Sequence, residues 1–351
     1  MRILAIETSC DETAIALLDA KGCLPAGRQG LTSPRFKIIK SVVSSQAKIH
    51  AHWGGVVPNL AKREHIKNLP IIFKNLRLKT YDLKPDLIAV TVGPGLEPAL
   101  WTGVNFSKEI HKELTTKNHK LKTKLVGVNH LEGHLYSFLL AKNYKLKTKG
   151  LFPAIALIVS GGHTILLRMN SFTKRKKLGE TRDDAVGEAF DKVARMLRLP
   201  YPGGPEIERL AQKGNPDAIK FPRPMINDKN YEFSFSGLKT SVLYYLRDNP
   251  EAKKENVAAS FQAAAIETLV TKTIRAAREF DAKSIMLSGG VASNAALRHE
   301  LKIKCQKLNV NFFVPPKKFN TDNAVMIAVA AYINYLRKKN LPIRARGSLN
   351  L

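Results

Sequence analysis

Apolar positions crowd the start of the chain. Ile3 to Ile6 form an unbroken run, which predicts a buried strand over residues 2–7. Ala14 to Leu18 predict a second strand. The polar stretch Thr8-Ser9-Cys10-Asp11-Glu12-Thr13 between them reads as a hairpin tip. The pattern returns later. Ala154 to Val159 is apolar, Ser160-Gly161-Gly162-His163 is a turn, and Thr164 to Leu167 is apolar again. Two such hairpins, one at the start of each half, predict a duplicated architecture.

Further along, Leu87-Ile88-Ala89-Val90 predicts a strand that leads into Gly93-Pro94-Gly95. Asn256 to Phe280 has helical periodicity. Ile285-Met286-Leu287 is a short strand running into Ser288-Gly289-Gly290-Val291-Ala292-Ser293-Asn294, followed by a helix with Leu297 and Leu301 on one face. Phe312 to Val314 predicts another strand, and Asp322 to Leu336 another helix. Residues 21–37 carry Gly22, Pro25, Gly27, Gly30 and Pro34 and read as a loop. Strands alternating with helices imply an α/β fold. With 351 residues, the chain is too long for one ordinary core and suits two packed lobes.

Composition adds constraints. Hydrophobic residues make up 44%, as expected of a globular protein. Glu7 stands where a secretory signal would keep its apolar stretch, and no apolar run is long enough to span a bilayer. Cys10, Cys23 and Cys305 are too scattered for a disulfide framework, so a reducing cytoplasm is the expected home. The net charge is +28, from 57 basic and 29 acidic residues. That excess suits a polyanionic partner, whose phosphates shed counterions on binding; it also suits a general lysine bias. Lys120-Leu121-Lys122-Thr123-Lys124 recurs as Lys145-Leu146-Lys147-Thr148-Lys149, and both read as solvated loops.

The sharpest chemical signal is His130-Leu131-Glu132-Gly133-His134. Residues four apart share a helix face, so both imidazoles can reach one metal ion. The alternative is two ordinary polar histidines at a helix start. Glu132 is misplaced for a zinc protease, where the acid directly follows the first His. A carboxylate is the natural third ligand, and Asp322 is a candidate. Its alternative role is a helix cap. Ser160-Gly161-Gly162 and Ser288-Gly289-Gly290 each follow a strand, where glycine lets backbone amides approach an anion. No Gly-x-x-x-x-Gly-Lys-Ser/Thr loop is present. Asp11 and Glu12 are either surface acids on a turn or acids beside bound phosphates. Cys10 has no adjacent His to activate it and reads as structural.

Several strings together carry a resemblance. They are Ile6-Glu7-Thr8-Ser9-Cys10-Asp11-Glu12-Thr13, Gly54-Gly55-Val56-Val57-Pro58, Gly93-Pro94-Gly95-Leu96, Asn129-His130-Leu131-Glu132-Gly133-His134 and Val159-Ser160-Gly161-Gly162-His163-Thr164. Gly187-Glu188-Ala189-Phe190-Asp191-Lys192, Tyr201-Pro202-Gly203-Gly204-Pro205 and Phe233-Ser234-Phe235-Ser236-Gly237-Leu238-Lys239-Thr240 follow. The last are Ser288-Gly289-Gly290-Val291-Ala292-Ser293-Asn294 and Thr321-Asp322-Asn323-Ala324. In this order, over nearly the whole length, they resemble the tRNA N6-threonylcarbamoyladenosine transferases (TsaD-type), once described as O-sialoglycoprotein endopeptidases.

The resemblance implies an actin-like ATPase fold with two RNase H-like lobes. Laid over the predicted elements, it puts the first lobe at residues 1–128, with a C-terminal helix over 324–345 packing back on it. The second lobe is expected at 129–323, carrying the metal and nucleotide site, with a helical insertion over about 170–280. By motif match, His130, His134 and Asp322 are the implied metal ligands, for one divalent ion. Iron is the family's usual metal, and Zn²⁺ is the alternative. Ile158, Val159, Ser160, Gly161 and Gly162 match the segment that holds the phosphate or carbamoyl part of the substrate. Asp191, Gly204 and Asn294 match nucleoside-binding positions, and Asp11 and Glu12 are the candidate catalytic acids.

The implied reaction moves threonylcarbamoyl from threonylcarbamoyl-adenylate to N6 of the adenosine beside the anticodon, in tRNAs reading codons that begin with A, and releases AMP. The implied partners are tRNA, a paralogous actin-fold protein and a small ATPase, with no membrane. Three departures stand out: the 21–37 segment, Trp53 where tyrosine is frequent, and Glu97-Pro98 where small or apolar residues are usual. A small-molecule kinase of the same fold would leave the histidine pair without a role. A non-catalytic RNA-binding scaffold would leave the whole metal-type cluster unused.

Overall fold

A computed structural model describes residues 1–24, 34–76, 84–117, 122–141 and 150–351. The chain forms two compact units, Met1–Thr148 with Asp322–Leu351, and Lys149–Thr321. In the first unit, β1 (Arg2–Glu7), β2 (Glu12–Lys21), β3 (Arg35–Ser45), β4 (Leu87–Gly93) and β5 (Lys124–Asn129) form a sheet of order β3-β2-β1-β4-β5. β1 to β3 pair antiparallel, whereas β4 runs parallel to β1, and β5 to β4. In the second unit, β6 (Ala154–Val159), β7 (Thr164–Met169), β8 (Arg175–Glu180), β9 (Ser284–Ser288) and β10 (Asn311–Phe313) repeat that order as β10-β9-β6-β7-β8. The senses repeat as well, antiparallel through β6–β7–β8 and parallel through β6–β9–β10. The duplication expected from the two hairpins is thus present at the level of topology.

Around the first sheet lie α1 (Ala47–His50), α2 (Pro58–Asn75), α3 (Glu97–Lys117), α4 (His130–Tyr136) and α10 (Ala324–Leu336). Because β1, β4 and β5 are parallel, their C-terminal ends share one edge of the sheet. That edge gathers Glu7, Thr91 and Asn129 in one place. α10 is apolar on every side, and Ala324 to Asn334 are all buried. It packs on β1, β2 and α4. It ends at Leu336 and does not run on to 345: Lys338 takes a left-handed φ of 54°, and Pro342 follows. Residues 341–350 instead form a strap. Leu341 bridges Gly127, Arg346 N donates to Val92 O at 2.8 Å, and Asn129 Nδ2 donates to Asn350 O at 2.9 Å.

The second unit adds α5 (Val186–Met196), α6 (Gly203–Ala211), α7 (Ser236–Asp248), α8 (Lys254–Glu279) and α9 (Ala295–Lys307). Its core joins Ile155, Leu157 and Val159 of β6 to Phe190 of α5 and Phe261 of α8, whose rings meet edge-on at 5.0 Å.

Other expectations change as well. The boundary expected at 128/129 falls elsewhere, because β5 runs into α4 without a break and α4 packs on α10. The histidine pair therefore belongs to the first unit. Residues 21–37 are not all loop, since β2 reaches Lys21 and β3 starts at Arg35; residues 25–33 lie outside the described part. The insertion over 170–280 opens with β8, whose sequence Arg-Lys-Lys-Leu-Gly-Glu is that of a charged edge strand with no apolar run to reveal it. Of the lysine-rich segments, Lys124 opens β5, whereas Lys120, Leu121 and Lys145 to Lys149 lie outside the described residues.

Candidate metal centre

Asn129 ends β5 and caps α4, with Oδ1 accepting from Leu131 N at 2.8 Å and Glu132 N at 3.2 Å. Every residue of this short helix is buried. Gly133 lets it lie close against α10, because a Cβ there would come within 2.9 Å of Ile327 Cδ1 and 3.1 Å of Met326 Cγ. The i, i+4 spacing then presents both imidazoles on one side.

The cap of the last helix is not Asp322 but its neighbour. Asn323 is the cap of α10, with Oδ1 accepting from Met326 N at 3.0 Å. Asp322 instead turns Oδ1 toward the histidines, 3.1 Å from His134 Nε2 and 3.4 Å from His130 Nε2. One ligand atom from each of the three residues lies within 4.8 Å of the others. His134 is fully buried, yet among the described residues neither of its ring nitrogens has a hydrogen-bond partner. A buried polar atom without a partner is costly, and a cation would satisfy one of these.

His130 is held from behind. Its Nδ1 lies 3.1 Å from Glu7 Oε2 and 3.1 Å from Ser9 Oγ. Glu7 is fully buried and accepts from Thr91 Oγ1 at 2.7 Å and Ser9 N at 2.5 Å. A carboxylate on one ring nitrogen fixes the tautomer that aims the other at a metal. Sequence reasoning missed Glu7, Ser9 and Thr91, since Glu7 looks like the last residue of an apolar strand. Burial alone would lower the His130 pKa, but Asp322 and Glu7 outweigh it and raise it to about 9. Burial, then Asp11 and Asp322, push the Glu12 carboxyl well above the usual range. Burial and the neighbouring acids Asp11, Asp322 and Glu12 likewise push the Cys10 thiol up, away from nucleophilic use. Glu7 and Asp322 stand against the imidazole pair, and Glu12 lies close enough to Asp11, Asp322 and Glu7 to feel their charge. The nitrogen and oxygen donor set fits one divalent ion of the iron or zinc type.

Glu132 faces away, as its spacing implies. It is fully buried and accepts from Asn334 Nδ2 at 2.7 Å and Lys339 Nζ at 2.8 Å.

The remaining candidates lie in the second unit. Ile158 and Val159 are buried in β6, and Ser160 closes a tight turn with N donating to His163 O at 2.8 Å. Gly161 and Gly162 are exposed, with open space above them. Gly289, at φ 93°, packs against Val159, whose carbonyl oxygen would sit 2.2 Å from any Cβ there. The second glycine turn is thus brought to the first. Asp191 Oδ1 accepts from Gly203 N at 2.7 Å at the start of α6, next to Gly204. Asn294 caps α9 through Leu297 N at 3.0 Å and donates to Gln262 Oε1 at 2.7 Å. Both side chains therefore also hold helix starts.

Two α/β units of one strand order define an actin-like ATPase fold. The solved HypF from T. kodakarensis matches with a TM-score of 0.59 at 16% identity, over 96% of this chain and 48% of that one. At that identity the likeness speaks for the fold alone. Sequence comparison goes further. Residues 37–329 match the TsaD family, described as tRNA N6-adenosine threonylcarbamoyltransferase. The chain is 45% identical to the Moorella thermoacetica protein of that name over 347 residues, 97% of this chain and 94% of that one. It is also 45% identical to the Thermosipho melanesiensis protein of that name, over 100% of both chains. This chain belongs to the tRNA N6-adenosine threonylcarbamoyltransferase family, and it is a transferase that acts on tRNA.

Proposed function

We propose that this chain moves threonylcarbamoyl from threonylcarbamoyl-adenylate to N6 of the adenosine beside the anticodon in tRNAs reading codons that begin with A, with one divalent ion held by His130, His134 and Asp322. The observation that carries the metal reading is the convergence of these three donors, one of which, the fully buried His134 imidazole, makes no hydrogen bond among the described residues. Iron is the proposed ion and zinc the alternative.

The N6 lone pair is delocalised into the purine ring, so the amine is a weak nucleophile and needs an activated acyl donor. A bond forms from N6 to the carbamoyl carbon, the bond from that carbon to the AMP phosphate breaks, and N6 gives up a proton. When bound, the ion supplies Lewis-acid stabilisation of the charge that develops on oxygen. Glu7 and Ser9 orient His130. Asp11 and Glu12 are the proposed catalytic acids, with Asp11 the candidate to take up that proton. The Ser160-Gly161-Gly162 amides are proposed to hold the carbamoyl or phosphate part, and Asp191, Gly204 and Asn294 the nucleoside. Cys10 forms no acyl intermediate.

The proposed setting is the cytoplasm, with a paralogous actin-fold protein and a small ATPase as helpers. No helix among the described residues is long and apolar enough to cross a membrane. For tRNA, the first unit offers exposed Lys124, Lys338, Arg344 and Arg346. The two lysines line a depression of about 180 Å³ beside Tyr335, which is 50% exposed. Lys338→Glu combined with Arg344→Glu is expected to weaken tRNA binding and lower its salt slope by about two. Metal content should not change. A filter-binding titration at several salt concentrations measures this, and an unchanged slope would remove these residues from the interface.

The direct test is mass spectrometry of nucleosides from tRNA incubated with the protein, threonylcarbamoyl-adenylate and the helper proteins. Threonylcarbamoyladenosine is expected with the wild type and not with His130→Ala. Equal product from both would end the metal-site reading.

A further inference from the structure

A chain of buried polar side chains runs from the start of α2 to the turn that faces His130, and the reaction as derived makes no use of it. His50 and His65 are fully buried and Gln46 is 1% exposed, so protein groups must satisfy their polar atoms. Val57 N–H, a donor only, gives to His50 Nδ1 at 3.3 Å. Cys10 C=O, an acceptor only, lies 2.9 Å from His65 Nε2. Burial lowers the pKa of both imidazoles, so each ring carries one proton.

These two backbone groups fix every donor between them. His50 must donate from Nε2 to Gln46 Oε1, 3.1 Å away. Gln46 then offers Nε2 to His65 Nδ1 at 3.3 Å, with Ala61 O at 3.4 Å and Thr13 Oγ1 at 3.5 Å. Thr13 Oγ1 also donates to His65 Nδ1, at 2.8 Å. His65 finally donates to Cys10 O. The chain has one polarity throughout, and no member can reverse alone.

The far end of this chain grips the β1–β2 turn. Cys10 sits between Ser9, whose hydroxyl meets His130 Nδ1, and Asp11, whose carbonyl accepts from Gln46 N at 3.0 Å. Ser9 O in turn accepts from Leu96 N at 2.8 Å. The turn is therefore clamped on both sides, by residue 96 and by the imidazole chain.

We propose that His50, Gln46 and His65 form a positioning chain that sets the β1–β2 turn, and with it the Ser9 contact to His130 and the place of Asp11 and Glu12. His65 is the positioning residue that touches the turn. The proposal rests on the metal-centre reading, and the test separates the two.

The probe is Co²⁺, titrated into metal-free protein and followed by its visible absorption, alongside kcat and KM for tRNA. Loss of a hydrogen bond made directly to a metal ligand weakens metal binding or activity by about 10- to 100-fold. His65 acts one step further back, through the turn, so a loss at the lower end of that range, about 10-fold, is expected. His65→Ala is expected to show such a loss in Co²⁺ affinity and in kcat, with an altered Co²⁺ spectrum and an unchanged KM for tRNA. His65→Gln keeps a donor for Cys10 O and an acceptor for Thr13, and should recover most of both. If His65→Ala does not fold, Gln46→Glu carries the test. It is nearly isosteric but has no proton for His65, and the same losses are expected. A folded His65→Ala or Gln46→Glu with wild-type Co²⁺ spectrum, affinity and kcat overturns the proposal. If the wild type itself binds no Co²⁺, the metal reading fails. The kcat values then decide the positioning role, lowered kcat supporting it and unchanged kcat ending it.

Discussion

His134→Leu is expected to abolish divalent-ion binding and cost about 1,000-fold or more in transfer rate, while leaving the metal-free protein as stable as the wild type or more so. The two effects have one cause. His134 is fully buried, and neither ring nitrogen finds a hydrogen bond among the described residues. In the metal-free protein, that imidazole has lost water and keeps only the contact of Nε2 with Asp322 Oδ1 at 3.1 Å, which does not meet hydrogen-bond geometry. An unsatisfied buried polar group costs about 1–3 kcal/mol, and leucine removes it while conserving most of the volume. With the ion present, the balance reverses. A ligand at 100 times its Kd adds about 2.7 kcal/mol to the wild type, and the variant gains none. Calorimetric melts with and without the metal, together with metal content, measure both effects. The wild type should melt about 5–10 °C higher with metal, and His134→Leu should show no shift. The rate loss follows from removing charge stabilisation worth several kcal/mol, at about 1.4 kcal/mol per tenfold. A variant that keeps its ion and its activity would remove His134 from the site.

Much of the architecture was legible because it is written in contiguous strings. The two hairpins, the strand into Gly93-Pro94-Gly95 and the helix after Asn294 each fall within one local pattern of apolar and polar positions. What was hidden depends on neighbours far apart in the chain. Glu7 is one acid at the end of an apolar strand, and its role emerges only when β4 brings Thr91 and β5 delivers His130 to the same edge. Asp322 and Asn323 are both competent caps. Local sequence cannot choose between them, and the choice decides which one faces the histidines. His50 and His65 carry no metal spacing, and their partners come from the β1–β2 hairpin and from Gln46.

The unit boundary failed for a related reason. A strand followed by His-x-x-x-His reads as the opening of a new lobe. In the fold, α4 has no independent core: each of its residues is buried, and it packs on α10, nearly 200 positions later in the chain. The C-terminal segment thus completes the unit the N-terminus began, and it carries Asp322, the proposed third ligand. The proposed metal ligation and the closure of the first unit share the same segments, which places a stability constraint inside the motif.

That constraint is Glu132. Its carboxylate is fully buried and accepts from Asn334 Nδ2 at 2.7 Å and Lys339 Nζ at 2.8 Å, with Arg337 Nη1 at 3.7 Å. These partners all come from α10 or the residues just after it, so Glu132 ties α4 to the C-terminal segment. Removing one member of a buried pair leaves the others uncompensated and costs about 3–5 kcal/mol. Glu132→Ala is therefore expected to lower the melting temperature by about 10 °C. At a temperature where the variant is folded, its transfer rate should fall far less than that of His134→Leu. A protease-like general base at this position would give the opposite pattern, wild-type stability with activity abolished. Melting curves and initial rates on one set of samples separate the two. The expected pattern, large destabilisation with much of the rate retained, follows from a carboxylate that turns its charge toward Lys339 and Arg337 and not toward the ion.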